Sequence, residues 1–234
     1  MIDLPKDVAE NLKTQNQVLF SELIEKNEYG IVEGDIKGRN ILDVGANVGF
    51  FSIIAAHLGA RMVVSIEPNR ENFSKLVLNT KGFEQIHPLR FALGSGVVSA
   101  CETTGSDVIC ETHLNPLGTT PVISLAQAAS LFPLSDDNLT LKIDAEGAEF
   151  DTIYYAGGLS LRRFSTVFIE VHLREKVKKL NFHLTGAQTL NDFMEFIGFK
   201  KVLSHTMCWW EYKEDGTIAS CTPCLEVAKY ELQK

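Results

Sequence analysis

The segment Asp43-Val44-Gly45-Ala46-Asn47-Val48-Gly49 limits what this chain can fold into more than any other. It follows the short apolar run Ile41-Leu42-Asp43-Val44 and leads into Val48 to Leu58, a stretch of helical length and apolar content that Gly59 stops. Strand, glycine turn and helix open a βαβ unit. Gly45 and Gly49 let the backbone turn tightly and let a ligand approach the main chain, while the first N–H groups of the helix have no partners within it. Asp43 stands two residues before Gly45, where a carboxylate reaches an ammonium or a hydroxyl and repels a pyrophosphate. Asn47 occupies the second glycine position of the dinucleotide fingerprint and the third glycine is missing, which weighs against NAD. The plainer alternative is a structural turn in which Asp43 caps the next helix.

Downstream the alternation continues. Met62 to Ile66 is a second apolar strand closed by Glu67, and Pro68 opens a helix running to about Thr80. A third strand spans Ile86 to Leu93. Val97 to Leu114 reads as an inserted hairpin whose turn, Gly105-Ser106, sets Cys101 opposite Cys110. A short helix over Leu125 to Leu131 precedes a fourth strand, Leu139 to Asp144, and Thr166 to Val171 gives a fifth. Helices over Glu149 to Tyr155 and Gly186 to Ile197 separate the rest, and Lys200 to Ser204, Trp209 to Tyr212 and Thr217 to Ser220 form a terminal strand and hairpin. Ahead of all this, Val8 to Lys26 reads as one or two amphipathic helices and Asn27 to Asn40 as a loop. The expectation is an N-terminal helical extension over 1–39 and one α/β domain over 40–234. Its sheet is covered on both faces and takes ligands at the carboxyl ends of its strands.

Composition removes several function classes. The 234 residues carry 22 Lys and Arg against 30 Asp and Glu, a net charge of −8, without a dense basic block, so nucleic acid is not the expected partner. Val44 to Ile66 is interrupted by Asn47, His57 and Arg61 and is no membrane span. The first residues lack a basic n-region and an apolar h-region, which points to the cytoplasm, and five cysteines suit a reducing compartment. His205, Cys208, Cys221 and Cys224 have the ligand types of a zinc knuckle. His205 and Cys208 point to opposite faces of a regular strand, however, so a bulge would be required and no metal is assigned.

Four strings occur in order: Leu42 to Ser52, Ser65-Ile66-Glu67-Pro68-Asn69, Phe91-Ala92-Leu93-Gly94, and Leu141-Lys142-Ile143-Asp144-Ala145-Glu146-Gly147-Ala148-Glu149. Together, over about Asn40 to His172, they resemble the FkbM-type S-adenosylmethionine-dependent methyltransferases. The resemblance implies a class I methyltransferase fold, Rossmann-like, with a mostly parallel seven-stranded sheet containing one antiparallel strand. It also implies methyl transfer to a hydroxyl of a sugar or secondary metabolite. Carried over by position, Asp43, Gly45, Ala46, Asn47 and Gly49 line the methionine end of S-adenosylmethionine, Glu67 holds its ribose, Pro68 and Asn69 flank the ribose, and adenine lies near Phe91 and Ala92.

Chemistry requires more than cofactor binding, because an aliphatic hydroxyl is a poor nucleophile and needs a base or a metal within reach. Lys142 and Asp144 share one face of the fourth strand by alternation, and Glu170 and His172 share one face of the fifth. Asp144 is expected beside the methionine end and His172 as the base, with Lys142 and Glu170 setting the field. The alternative is a Lys142–Glu170 cross-strand ion pair with His172 merely ending a strand. Glu146 and Glu149 are expected to serve the following helix N-terminus. The leader helices, the inserted hairpin and the pair Trp209-Trp210 are the candidate substrate-selecting parts. Rival functions are a nicotinamide-dependent oxidoreductase, a nucleic-acid methyltransferase and a non-catalytic adenosine-ligand binding protein.

Overall fold

The computed structural model describes residues 2–94, 100–106, 109–114, 118–136, 138–145, 148–172, 187–212 and 218–233. The leader comprises α1 (Lys6–Gln15), α2 (Gln17–Phe20), a π-helical turn (Ser21–Glu25) and α3 (Glu33–Ile36). Then follow β1 (Asn40–Val44), α4 (Phe50–His57), β2 (Met62–Ile66), α5 (Arg70–Asn79) and β3 (Ile86–Leu89). The short strands β4 (Ala92–Leu93), β5 (Ala100–Ser106), β6 (Ile109–Leu114) and β7 (Thr120–Ile123) come next, then α6 (Leu125–Ala129) and β8 (Leu139–Ile143). The chain ends in α7 (Glu149–Ala156), α8 (Gly158–Leu161), β9 (Phe164–His172), α9 (Ala187–Phe196), β10 (Phe199–Tyr212) and β11 (Ile218–Leu232).

Seven strands form one sheet in the order β10-β11-β9-β8-β1-β2-β3. Only β11 runs against its neighbours; the pairs β9–β8, β8–β1, β1–β2 and β2–β3 are parallel. This is the mostly parallel, Rossmann-like sheet expected. The central strands are buried on both faces, so they read as short apolar runs, and period two divides their side chains. Leu42, Val44, Val64, Ile66, Leu141 and Ile143 enter a core shared with α6 to α9. Ile41, Val63 and Phe168 enter the opposite core, shared with α4 and the leader. On that second face the same alternation places Asp43, Ser65 and Lys142, all buried.

α4 is buried along its whole length from Phe50 to Ala56. A helix apolar all round must be covered on its outer side as well, and here the leader covers it with Leu12, Phe20, Leu23 and Ile24. The leader is anchored further by the buried pair Asp35–Lys229, 2.9 Å apart, which joins α3 to β11.

Three readings of the sequence are corrected. The expected third strand, Ile86 to Leu93, is broken: β3 joins the main sheet, whereas β4 turns away into a second sheet of order β4-β7-β5-β6. The change of direction falls at Arg90 and Phe91, between Leu89, the last residue paired with β2, and Ala92, the first paired with β7. The hairpin closes on the pair Ser106–Ile109 rather than turning at Gly105-Ser106, so Gly105 faces Cys110 and Cys101 faces Leu114. The partner of Cys101 moves by four residues, and an even shift keeps each residue on its face of the ribbon, so alternation alone does not distinguish the two registers. Finally, the terminal strands are far longer than expected. Their register breaks between Met207 and Cys208, the irregularity that His205 and Cys208 would need to share a face, and sets Cys208 opposite Pro223 and Cys221 opposite Trp210. The side chains of Cys101, Cys110, Cys208, Trp209, Trp210, Cys221 and Cys224 lie outside the described residues, as do Glu146 and Gly147. Among the described residues no helix is long and apolar enough to cross a membrane.

Candidate active site

β1 and β8 end side by side, with the Asp144 N–H donating to the Val44 carbonyl at 3.0 Å. The chain after β1 then makes three left-handed residues in alternation, Gly45 (φ +71), Asn47 (φ +50) and Gly49 (φ +97). Asparagine is among the few residues with a Cβ that tolerate this region, which is why Asn47 stands where a dinucleotide site has glycine. The need for glycine at Gly45 is packing, since a Cβ there would lie 1.6 Å from the Asp144 carbonyl oxygen.

A cavity of about 310 Å³ opens at these strand ends. Its floor is the turn, with Gly45 and Asn47. One wall is Glu67, Pro68 and Asn72, and another is the apolar strip Phe91-Ala92-Leu93. Asp144 and Glu170 close the far end, and the leader contributes Asn16, Leu19 and Glu22 as a roof. Glu67 is buried and both its oxygens are oriented: Oε2 accepts from the Asn47 N–H and Oε1 from the Asn69 N–H, each at 2.8 Å. The side-chain oxygens of Asn47 and Asn72 are buried without a hydrogen-bond partner. Both belong to residues of the cavity wall, so a ligand with hydroxyl or ammonium donors fits there.

Several expected site residues are placed differently. Asp43 is fully buried and off the cavity wall; its Oδ2 accepts from Ser52 Oγ at 2.6 Å and its Oδ1 lies 3.5 Å from Lys142 Nζ. Its backbone position at a central strand points it into the sheet face rather than along the strand axis. Lys142 bonds the Gly45 carbonyl at 2.9 Å and lies 3.4 Å from Asp144, so it ties β8 to the glycine turn instead of pairing with Glu170. Burial lowers its pKa, but the charges of Asp144, Asp43 and Glu170 outweigh that and raise it overall, so it stays an ammonium. Asn69 spends its side chain capping α5, accepting from the Glu71 and Asn72 N–H groups, and Asn72, one turn on, reaches the cavity in its place. Gly49 packs toward Leu76 and Thr80 rather than toward the cavity. Ala46 adjoins a smaller cavity of about 60 Å³, which Lys142, Asp144, Glu170 and Tyr29 also line. Gly45, Asn47, Glu67, Pro68, Ala92 and Asp144 line the main cavity.

His172 is buried at the end of β9, off that wall, with Nδ1 2.9 Å from Glu149 Oε1 and Nε2 3.7 Å from Glu170 Oε1. Glu149 also accepts the Ala145 N–H at 2.9 Å, so the residue expected to serve a helix terminus holds the histidine too. Tyr29 donates to Glu170 Oε2 at 2.9 Å across 141 residues of sequence. Burial first, then the Asp144 charge, pushes Glu170 up to about 8. Sequence reasoning missed Asn72, Tyr29 and Glu22 in this site; helical spacing from the capping Asn69 was the one signal available for Asn72.

Burial also pushes the Glu67 carboxyl up to about 7, against the pull of the two N–H groups and Lys142, while Asp144 adds to the rise. The native state thus holds this proton more tightly than the unfolded chain, and the group's contribution to stability falls as pH rises from 4.5 to about 7. Hydroxyls donating to Glu67 favour its charged form, the opposite direction, so binding of S-adenosylhomocysteine at pH 7 is expected to release about half a proton. Calorimetry in buffers of differing ionisation enthalpy measures this. A heat independent of buffer in the wild type, or still buffer-dependent in Glu67→Gln, would remove Glu67 from the ligand.

The family model of the methyltransferase FkbM domain matches residues 43–201. No curated protein sequence matches the chain. Among solved structures it is similar to the YcgJ protein of Bacillus subtilis, with a TM-score of 0.53 at 8% identity over 89% of this chain and 99% of that one. It is also similar to a SAM-dependent methyltransferase of Agrobacterium tumefaciens (0.47, 11%, 93% and 62%) and to a precorrin-6y C5,15-methyltransferase of Geobacter metallireducens (0.45, 13%, 88% and 87%). Sheet order, glycine turn and family match together define an S-adenosylmethionine-dependent methyltransferase of the Rossmann-like class. Within that class the chain belongs to the FkbM methyltransferase family.

Proposed function

We propose that the protein transfers a methyl group from S-adenosylmethionine to a hydroxyl oxygen of a small sugar or secondary metabolite. The observation that carries this reading is the two-ended cavity. One end has oriented acceptors for a nucleoside and an amino acid, namely Glu67, Asn47 and Asn72; the other brings Asp144 and Glu170 to the ends of two adjacent strands.

When bound, the cofactor supplies an electrophilic methyl: the new O–C bond forms as the C–S bond breaks with its electron pair left on sulfur, and the hydroxyl proton departs. The chain's part is alignment and proton handling. Glu67 holds the ribose, the apolar strip Phe91-Ala92-Leu93 receives the adenine, and the leader roof excludes water with Leu19. Asp144 and Glu170 accept hydrogen bonds from the incoming hydroxyl, and His172, held by Glu149, stands behind Glu170 to receive the proton. The negative far end of the cavity favours a polyhydroxylated or cationic acceptor over an anionic one. We place the reaction in the cytoplasm, with no nucleic-acid partner.

Calorimetry comes first: the wild type is expected to bind S-adenosylmethionine and S-adenosylhomocysteine and not NAD. His172→Ala is expected to keep that affinity while turnover on a responsive polyol falls roughly 10²- to 10⁴-fold. No binding of either sulfur ligand by folded protein would sink the proposal, and unchanged turnover would remove His172 from the mechanism.

A further inference from the structure

Asp144, Glu170 and His172 each offer one ligand atom within 4.8 Å of the other two. They come from two strands paired in parallel, β8 and β9, at the carboxyl edge of the sheet. Each is held by a group from a different element. Glu149 of α7 fixes His172 through Nδ1, Tyr29 of the leader bonds one Glu170 oxygen, and Lys142 of β8 lies against one Asp144 oxygen. This is the outer-shell pattern that orients metal ligands, a carboxylate behind the histidine above all.

Two features of the geometry point to a cation between them. A carboxylate only accepts, so Nδ1–H donates to Glu149, and Nε2 lies 3.7 Å from Glu170 Oε1, a separation that one shared ion spans. In the neutral ring this nitrogen ligates an ion, whereas in the imidazolium its own proton supplies the positive charge, so metal and proton compete for it. Second, among the described residues the Lys142 ammonium contacts Asp43 and Asp144, while Glu170 is held by Tyr29 and makes no lysine contact. The adjoining 60 Å³ cavity leaves room for water or an acceptor oxygen beside the cluster.

We propose that Asp144, Glu170 and His172 bind one divalent cation of the magnesium or manganese class. Two carboxylate oxygens and one imidazole suit a hard or borderline ion, and three protein ligands leave positions open for water and for the substrate. The site stands on its own geometry, but its use rests on the proposed methyl transfer. With the cation bound His172 is a ligand and no longer the base: an acceptor hydroxyl on the cation becomes more acidic and attacks the methyl carbon as the C–S bond breaks toward sulfur, and its proton passes to solvent water. The acceptors selected are then vicinal diols or other groups that offer two oxygens to one ion.

The test titrates chelator-treated protein with Mn²⁺, counting free ion by electron paramagnetic resonance, with S-adenosylhomocysteine binding measured in parallel by calorimetry. About one Mn²⁺ per chain is expected, displaced by Mg²⁺, with affinity falling ten- to a hundredfold in Glu170→Gln, His172→Ala and Glu149→Gln. S-adenosylhomocysteine affinity should change little in these variants. If buried His172 does not tolerate replacement, Asp144→Asn, whose side chain is 30% exposed, serves instead. No uptake of Mn²⁺ by the wild type, or uptake unchanged in the variants, overturns the proposal. Sulfur ligand without Mn²⁺ removes the metal and leaves the methyltransferase reading, whereas Mn²⁺ without sulfur ligand does the reverse.

Discussion

Gly45→Ala is expected to lower stability by on the order of 4 kcal/mol, roughly 10 °C in melting temperature for a chain of this size, and to remove measurable cofactor binding. The new Cβ would sit 1.6 Å from the Asp144 carbonyl oxygen and 2.7 Å from its carbon. Neither is the end of a flexible side chain, so the ends of β1 and β8 must separate. That separation loses the Asp144 N–H bond to Val44 and the Lys142 bond to the Gly45 carbonyl. It also displaces Asp144, which shapes the far end of the cavity. Left-handed strain adds only about 1–2 kcal/mol, and Gly38→Ala isolates it, because Gly38 has φ +71 and open space where a Cβ would go. Thermal melts of the two variants decide between the causes. If Gly45→Ala costs no more than Gly38→Ala, the close approach of the two backbones is not what demands glycine.

Lys142→Met is expected to cost about 3–5 kcal/mol, because it strands the fully buried Asp43 carboxylate while leaving the packed volume nearly unchanged. Burial already pushes the Asp43 carboxyl up, and Lys142 and the Ser52 hydroxyl are the groups that restrain it. Removing the negative charge in the same protein should therefore return part of the loss. The double variant Lys142→Met, Asp43→Asn is expected to be more stable than Lys142→Met alone, with a coupling on the order of 2 kcal/mol. Denaturant unfolding at pH 7 gives all four corners of the cycle. Additive losses would mean that the lysine acts through its bonds to the Val44 and Gly45 carbonyls and not through Asp43.

These two residues mark where reading the sequence succeeded and where it stopped. The glycine turn, the order of strands and helices and the family were legible because each rests on spacing within a few residues: a positive-φ turn between two apolar runs, and period two along a strand. Alternation alone placed Lys142 with Asp144 and Glu170 with His172, and parallel pairing of β8 with β9 brought the two pairs together. The direction of Asp43 was not legible, since a strand end looks alike whether its last carboxylate faces a ligand or the buried sheet face. Asn69 caps α5 with its side chain, and short-range spacing does not separate a capping asparagine from one that faces a ligand. The break between β3 and β4 was hidden because apolar residues resume at Phe91 to Leu93, directly after Arg90, while the chain changes sheets.

The sequence by itself determined the local framework of this protein, namely which residues turn, which alternate and which helix must be buried all round. Spacing along one backbone sets those properties. The tertiary structure alone decided what surrounds the chemistry: Tyr29 on Glu170, Glu149 on His172, Glu22 and Leu19 over the cavity, and the gap between His172 and the two carboxylates. Each of those contacts joins elements far apart in the chain. Their distances follow from how the leader and α7 pack against the sheet, which no short-range pattern encodes.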